Sequence, residues 1–205
     1  MSENRSANLQ DFLDALKAAF SSSKESGPEV LAFLTNLFAA LDSQAPRGKL
    51  AAAQPLVCEH LPAAFQFARS ASPEVTSVAA SLEKIAPLLA WKVRPSGGSH
   101  ASANWPGGHA NAVIVGNGGL EERSDIAIGV SLLAPHVRYP DHTHAPEELY
   151  LVLSPGRFQH GDSEWFEPGP GGMLHNVPNI RHAMASDEKP LLAIWCLLLH
   201  GRSKV

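Results

Sequence analysis

The sequence predicts a mainly β domain of the sandwich or barrel type that follows an N-terminal helical region. Two observations support this. Apolar residues recur at helical spacing through about the first ninety residues. Beyond Pro95 glycine and proline become frequent, and short apolar runs alternate with turn signals every eight to twelve residues or so. We therefore divide the 205-residue chain into a helical region, residues 1–95, and a β domain, residues 96–205.

Four helices are expected in the first region. The second begins at Pro28, which suits a first helical turn, the third covers about residues 60–70, and the fourth starts at Ser72 and reaches Leu89. No cluster of titratable side chains accompanies them, so packing or dimerisation is a better explanation of this region than catalysis. The first helix has its apolar face on Leu9, Phe12, Leu13, Leu16 and Phe20.

Seven short apolar runs are the predicted strands of the β domain. The last run is apolar on both faces, which is typical of a buried central strand. The runs are residues 112–115, 126–133, 149–153, 157–160, 164–166, 173–177 and 191–199.

Composition and charge exclude several classes of partner. The net charge of −4 leaves no electrostatic footprint for nucleic acid, and no basic cluster indicates a membrane surface. The first residues mix polar with apolar side chains, and no stretch approaches the roughly 18 apolar residues of a membrane span. We therefore expect a cytoplasmic protein, with Cys58 and Cys196 as buried free thiols.

The segment from Tyr139 to Tyr150 concentrates metal-binding residue types. His142 and His144 are two apart, so in an extended chain both face the same side, and Glu148 follows. Three histidines and one carboxylate form a full ligand set for a divalent transition metal. His182 is the expected third histidine.

Other polar residues nearby are weaker candidates. His160 and His175 remain alternatives to His182 as the third histidine. His109 is expected in a loop or at the surface, and Asp141 and Glu147 are expected as solvated neighbours of the ligands.

The ligand spacing resembles the two motifs of the cupin superfamily. His142, Thr143 and His144, then three residues and Glu148, match the first motif. Gly172, then five residues and Pro178, followed by His182, match the second. The sequence departs from the pattern at His136, where a glycine is usual, and at residues 178–180, where a Pro-x-Gly turn is usual. The resemblance implies a cupin fold, a double-stranded β-helix or jelly-roll barrel, with an N-terminal α-helical layer.

Together with the two tyrosines, the pattern resembles the cupin-type dimethylsulfoniopropionate (DMSP) lyases, the DddQ group in particular. The resemblance implies that His142, His144, Glu148 and His182 hold a metal. It also implies that Tyr150 is the catalytic base and that Tyr139 assists with the substrate. The reaction is cleavage of DMSP, a small sulfonium carboxylate, to acrylate and dimethyl sulfide. Zinc, ferrous iron, manganese and nickel all accept this ligand set.

Two other functions fit the same metal site: an iron cupin dioxygenase and a non-enzymatic cupin that binds a small molecule. The tyrosines favour the lyase. The helical layer could support a homodimer. Aromatic side chains that could face a sulfonium group, or simply pack in the core, are Trp105, Phe158, Trp165 and Trp195.

Overall fold

A computed structural model describes residues 5–22, 27–95 and 97–199. The four predicted helices are present, and Ser72 caps the last of them by accepting a hydrogen bond from the Val75 backbone N–H (3.4 Å). Two short 3₁₀ turns, Leu56–His60 and Ala86–Leu88, flank the third and fourth helices, and a fifth single-turn helix precedes the first strand. The helices are α1 (Ala7–Ser22), α2 (Pro28–Leu41), α3 (Leu61–Arg69), α4 (Pro73–Ile85) and α5 (Trp105–Gly108).

Seven strands form two antiparallel sheets. They are β1 (His109–Val115), β2 (Ile126–Leu133), β3 (Glu147–Val152), β4 (Arg157–His160), β5 (Met173–Asn176), β6 (His182–Ala185) and β7 (Leu191–Leu198). The larger sheet has the order β1-β2-β7-β3-β5, so β7 occupies the centre. This confirms the expectation drawn from its two-sided apolar pattern.

The smaller sheet pairs β4 with β6, a strand that the apolar runs did not predict. The extended segment 137–142 continues this sheet on the other side of β6. Tyr139 N–H donates to the Met184 carbonyl (2.9 Å), and His142 and His182 exchange backbone hydrogen bonds of 3.1 and 3.0 Å. The predicted strand at residues 164–166 is wrong, because only Phe166 pairs, in a single bridge to Phe158.

Side chains on the larger sheet alternate between two hydrophobic clusters. On β3, Leu149 and Leu151 pack with the helices in one cluster, whereas Tyr150 and Val152 belong to a second cluster between the two sheets. The helical layer therefore covers the outer face of the sheet, and the inner face is left for a site. Both thiols are free and buried as expected, and Cys196 lies on the helix-covered face.

None of the described helices is long and apolar enough to cross a membrane. The domain boundary near residue 95 and the cytoplasmic location stay predictions.

Candidate metal centre and cavity

The register of the smaller sheet brings two of the predicted ligands together. His142 and His182 are direct cross-strand partners, and side chains of such partners project to the same side. His144 follows two residues later along the extended chain. One ring nitrogen from each of the three histidines lies within 4.8 Å of the others.

Each of these three rings is oriented by a backbone carbonyl. The Nδ1 atoms of His142, His144 and His182 lie 2.9, 2.9 and 3.0 Å from the carbonyl oxygens of residues 140, 146 and 180. A neutral imidazole that donates from Nδ1 has its lone pair on Nε2. All three Nε2 atoms are therefore available to one common ligand, and this is the arrangement that fixes the tautomer of metal-binding histidines.

Glu148 completes the group from β3. Its Oε2 lies 3.3 Å from His144 Nε2 and 3.1 Å from His182 Nε2, and Asn176 Nδ2 donates to the same oxygen (3.0 Å). Burial opposes ionisation of this carboxyl, but its contacts with the His144 and His182 rings outweigh burial and lower its pKa to about 2. Burial, followed by the charge of His182, lowers the pKa of His142 to about 4. At neutral pH the site thus holds a carboxylate and a neutral imidazole, both in their ligating forms.

These residues fit a divalent transition metal. His182 Nε2 is fully buried and has no hydrogen-bond partner among the described residues, because it faces a carboxylate oxygen while its proton resides on Nδ1. Such an orphaned acceptor is costly unless a cation or a donor satisfies it. Three imidazoles and a carboxylate are a donor set suited to zinc, iron, manganese or nickel.

A cavity of about 280 Å³ opens beside this cluster. Both predicted catalytic tyrosines line it, and both are buried. The surface of the cavity is formed by Arg94, Asn111, Ser131, Tyr139, His142, His144, Glu148, Tyr150, Met184, Trp195 and Leu197. The structure therefore brings all the predicted site residues together, five lining the cavity and His182 buried behind them.

The two tyrosines differ in their surroundings. Burial raises the pKa of Tyr150 well above its ordinary value, and the negative charge of Glu148 raises it further. The Tyr139 hydroxyl instead accepts hydrogen bonds from Arg94 Nη1 (3.0 Å) and Asn111 Nδ2 (3.2 Å). Tyr150 therefore needs a nearby positive charge to ionise.

The alternative histidines lie outside the cluster. His160 Nδ1 faces Asn176 Oδ1 (3.3 Å), and His175 Nε2 pairs with Glu147 Oε1 (2.8 Å). The expectation that Glu147 is solvated is wrong: it is buried, on the helix-facing side of β3. The surface position expected for His109 is also wrong, because this ring is fully buried and stacks on Trp105 with centroids 4.0 Å apart.

Three polar residues of the cavity were not singled out from the sequence. Arg94 comes just before the predicted boundary, Asn111 lies in β1 and Ser131 lies in β2. Asn111 interrupts an apolar strand, which is a usable signal for a polar interior position, whereas nothing local marks Arg94. Among the four candidate aromatics, Trp195 lines the cavity.

A family model for DMSP lyase matches residues 31–193. The chain belongs to the DMSP lyase family. A search of curated proteins found no significant match. Family membership implies a lyase that acts on a small molecule.

Solved structures of this family share the fold. A chain from the crystal structures of the DMSP lyases RdDddP and RnDddQII is 21% identical, with a TM-score of 0.69 over 97% of this chain and 96% of the other. DddQ from Ruegeria pomeroyi DSS-3 is 18% identical, with a TM-score of 0.71 over 98% and 95%. The cupin domain Rru_A2000 from Rhodospirillum rubrum aligns with 56% of this chain and 72% of its own, at 10% identity and a TM-score of 0.45. The two antiparallel sheets, the helices that precede them and the two DMSP lyase structures confirm the predicted mainly β fold with an N-terminal helical layer.

Proposed function

We propose that this protein cleaves DMSP to acrylate and dimethyl sulfide by β-elimination, with a divalent metal held by His142, His144, Glu148 and His182. The observation that carries this proposal is the convergence of one ring nitrogen from each of three histidines, with one carboxylate, beside a small cavity lined by two tyrosines. Family membership supports the substrate class.

The substrate has chemistry that suits the cavity. Its carboxylate makes the hydrogens on the adjacent carbon acidic, and its dimethylsulfonium group sits one carbon further on. Trp195, Tyr139 and Tyr150 line the cavity, and aromatic rings attract cations such as the sulfonium group. When bound, a divalent cation would neutralise the substrate carboxylate and favour the ionised form of a neighbouring phenol.

Tyr150 is the proposed base. Its phenolate oxygen takes a proton from the carbon next to the carboxylate. The C–H electron pair becomes the second bond between the two carbons, and the C–S bond breaks. Dimethyl sulfide leaves as a neutral molecule with the C–S electron pair, and acrylate remains. The proton is then on Tyr150 and must pass to solvent before the next turnover.

The required ionisation of Tyr150 explains why the reaction should depend on a metal. Burial and the charge of Glu148 both keep the phenol protonated, because each raises its pKa. A positive charge at the histidine cluster acts in the opposite direction. Removing the metal should therefore remove the base form as well as the group that binds the carboxylate.

A headspace assay for dimethyl sulfide tests this proposal. Purified protein should release dimethyl sulfide from DMSP, lose that activity after chelation and regain it with one or more of zinc, iron, manganese and nickel. Tyr150→Phe should retain the metal but lose at least about a hundredfold in turnover, in the range usual for a general base. Full activity in this variant would exclude Tyr150 as the base, and release of dimethyl sulfide without metal would exclude the metal.

Metal content gives a second readout. His182→Gln should lose the bound metal measured by elemental analysis, because it removes the ligand behind the cavity. His60→Gln is the matched control, since this histidine lies in the 3₁₀ turn Leu56–His60 on the helical side. If both variants retain equal metal, the proposed ligand set is wrong.

A further inference from the structure

The Tyr139 hydroxyl is held by two donors at once. Arg94 Nη1 and Asn111 Nδ2 both donate to Tyr139 Oη, at 3.0 and 3.2 Å. The guanidinium also lies 5.6 Å from the centre of the Tyr139 ring. A phenolic oxygen accepts two such bonds and carries one proton of its own. Its accepting positions are therefore filled by protein groups.

The remaining proton of Tyr139 is free to point into the cavity. In residues 5–22, 27–95 and 97–199, no hydrogen bond is donated by Tyr139 Oη to another protein group. The same side chain lines the cavity and is only 4% exposed. The hydroxyl thus faces the space where a substrate would bind, with its donor function unused.

The two donors are themselves fixed by further contacts. Ser131 Oγ donates to Asn111 Oδ1 (2.6 Å), which orients the amide so that its NH₂ group faces Tyr139. The Asn111 backbone exchanges hydrogen bonds with Lys92 (2.8 and 2.9 Å). The Asn111 side chain therefore donates to Tyr139 through its NH₂ group and accepts from Ser131 through its oxygen. A flip of the amide would break both hydrogen bonds.

Arg94 is an exposed residue, but its backbone is anchored. Its N–H donates to His109 Nε2 (3.0 Å), and His109 Nδ1 lies 2.6 Å from the Trp105 carbonyl oxygen. A neutral imidazole satisfies both contacts, with its proton on Nδ1. The His109 ring also packs edge-on against Tyr139, with centroids 5.6 Å apart. The buried His109 ring therefore contacts both the Tyr139 ring and the backbone N–H of Arg94, whose guanidinium binds the Tyr139 hydroxyl.

We propose that Arg94 and Asn111 are positioning residues that aim the Tyr139 O–H into the cavity as a hydrogen-bond donor to the substrate carboxylate. The proposal rests on the lyase function proposed above. Negative charge builds up on the carboxylate as the neighbouring carbon loses its proton, so a fixed donor at this point stabilises the transition state more than the ground state. Two N–H groups, one of them cationic, polarise the O–H and make it a stronger donor.

Two substitutions test the orientation of the hydroxyl. Asn111→Asp replaces the donor by an acceptor of the same shape, so the Tyr139 proton should turn away from the cavity. Arg94→Gln removes the cationic donor, and Arg94→Lys should recover part of the loss. For Asn111→Asp and Arg94→Gln we expect KM to rise about tenfold and kcat to fall about tenfold, because the donor binds the carboxylate in the ground state and binds it more strongly in the transition state. The matched controls are Arg157→Gln, at a half-buried arginine that pairs with Asp187, and Asn36→Asp, at an exposed position of α2; neither residue lines the cavity, and both variants should keep wild-type kcat.

A double-mutant cycle separates positioning from general structural or charge effects. In a Tyr139→Phe background, Asn111→Asp and Arg94→Gln should cost little more, because the hydroxyl through which they act is gone. Binding of propionate, which is the substrate without its sulfonium group, gives a readout independent of turnover. Calorimetry should show about tenfold weaker propionate binding in Asn111→Asp with Tyr139 present, and no such difference in Tyr139→Phe.

The outcomes are distinguishable. Equal losses with and without the Tyr139 hydroxyl, or wild-type kcat in Arg94→Gln, would overturn the positioning role and leave the lyase function standing. Absence of dimethyl sulfide from the metal-loaded wild type would instead refute the lyase function. In that event the propionate cycle still decides whether Arg94 and Asn111 act through Tyr139. Circular dichroism of each variant checks that a loss does not reflect misfolding.

Discussion

The inner and outer faces of the five-stranded sheet differ in chemistry although the same strands form both. On β3 the inward residues are Glu148, Tyr150 and Val152, and the outward ones include Leu149 and Leu151. The outward side chains pack with the helical layer in one hydrophobic cluster. The inward ones border the cavity and the histidine cluster. Because side chains alternate along the strand, the six residues of β3 serve both the core and the site. Substitutions on the outer face should lower the free energy of unfolding, and substitutions on the inner face should lower activity.

The largest effect should come from the adjacent pair Glu148 and Glu147. Glu148→Gln removes the inward carboxylate charge and should reduce turnover about a thousandfold, with loss of bound metal, because a neutral amide is a poor ligand. Glu147→Gln is the matched control on the outer face, where the carboxylate pairs with His175. Turnover and metal content should be nearly unchanged in the control. Equal losses in both variants would contradict the division between faces.

Leu151→Ala tests the outer face. This side chain is fully buried under the helical layer, so its truncation leaves a cavity and should cost about 3 kcal/mol of the free energy of unfolding. Urea denaturation measures that cost, while kcat of the folded fraction should stay close to the wild-type value. Leu56→Ala, at an exposed leucine, should change neither quantity. A large loss of kcat in folded Leu151→Ala protein would show that the two faces are coupled.

Gly129 offers a smaller perturbation of the inner face. A Cβ at this position would lie 2.0 Å from the ring of Trp195, its cross-strand partner, so Gly129→Ala must displace that indole from the cavity wall. We expect KM for DMSP to rise about tenfold, equivalent to about 1.4 kcal/mol of binding. Gly107→Ala is the control, because nothing lies within 4 Å of its added Cβ. An unchanged KM would mean that Trp195 does not contact the substrate.

The smallest effect concerns the buried His109 beside the cavity. Burial lowers its pKa in the folded protein, and the positive charge of Arg94 acts in the same direction, although the hydrogen bond to Trp105 opposes them. The unfolded chain therefore binds more protons than the folded one below about pH 6.5, so this contribution to stability is present above that pH and is lost as pH falls. His109→Gln should flatten the decline of the urea midpoint between about pH 7 and pH 5 relative to wild type. An identical decline in both proteins would assign the pH dependence to other groups.

Much of the fold could be predicted because its signals are local. Periods of about 3.6 and 2 residues follow from helix and strand geometry, and they marked four helices and most strands. β6 was missed because its position depends on pairing with segment 137–142 and with β4, and such long-range pairing leaves no local signal. His109 was misplaced because the residues just before it, Trp105 to Gly108, have the composition of a turn.

The residues of the candidate site likewise fall into those marked by a local motif and those brought in by long-range contacts. His142, His144 and Glu148 lie within one short motif, so their spacing was visible in the sequence. Arg94 and Asn111 reach the Tyr139 hydroxyl from β1 and the segment before it, and long-range contacts of this kind leave no local pattern. Glu147 was assigned to solvent because a carboxylate is rarely buried without a partner, and its partner, His175, is on another strand.

The carbonyls that orient the three clustered histidines have a consequence for variation of the protein. They belong to the main chain at residues 140, 146 and 180, so every amino acid at those positions supplies the same acceptor. Metal sites whose histidines rely on a carboxylate side chain can lose that support through a single substitution. Here the tautomer of all three rings is set by backbone geometry, and sequence drift around the cluster can proceed without disturbing it. Only a change in strand register, or a substitution of one of the three histidines, would change which ring nitrogens are available to a metal.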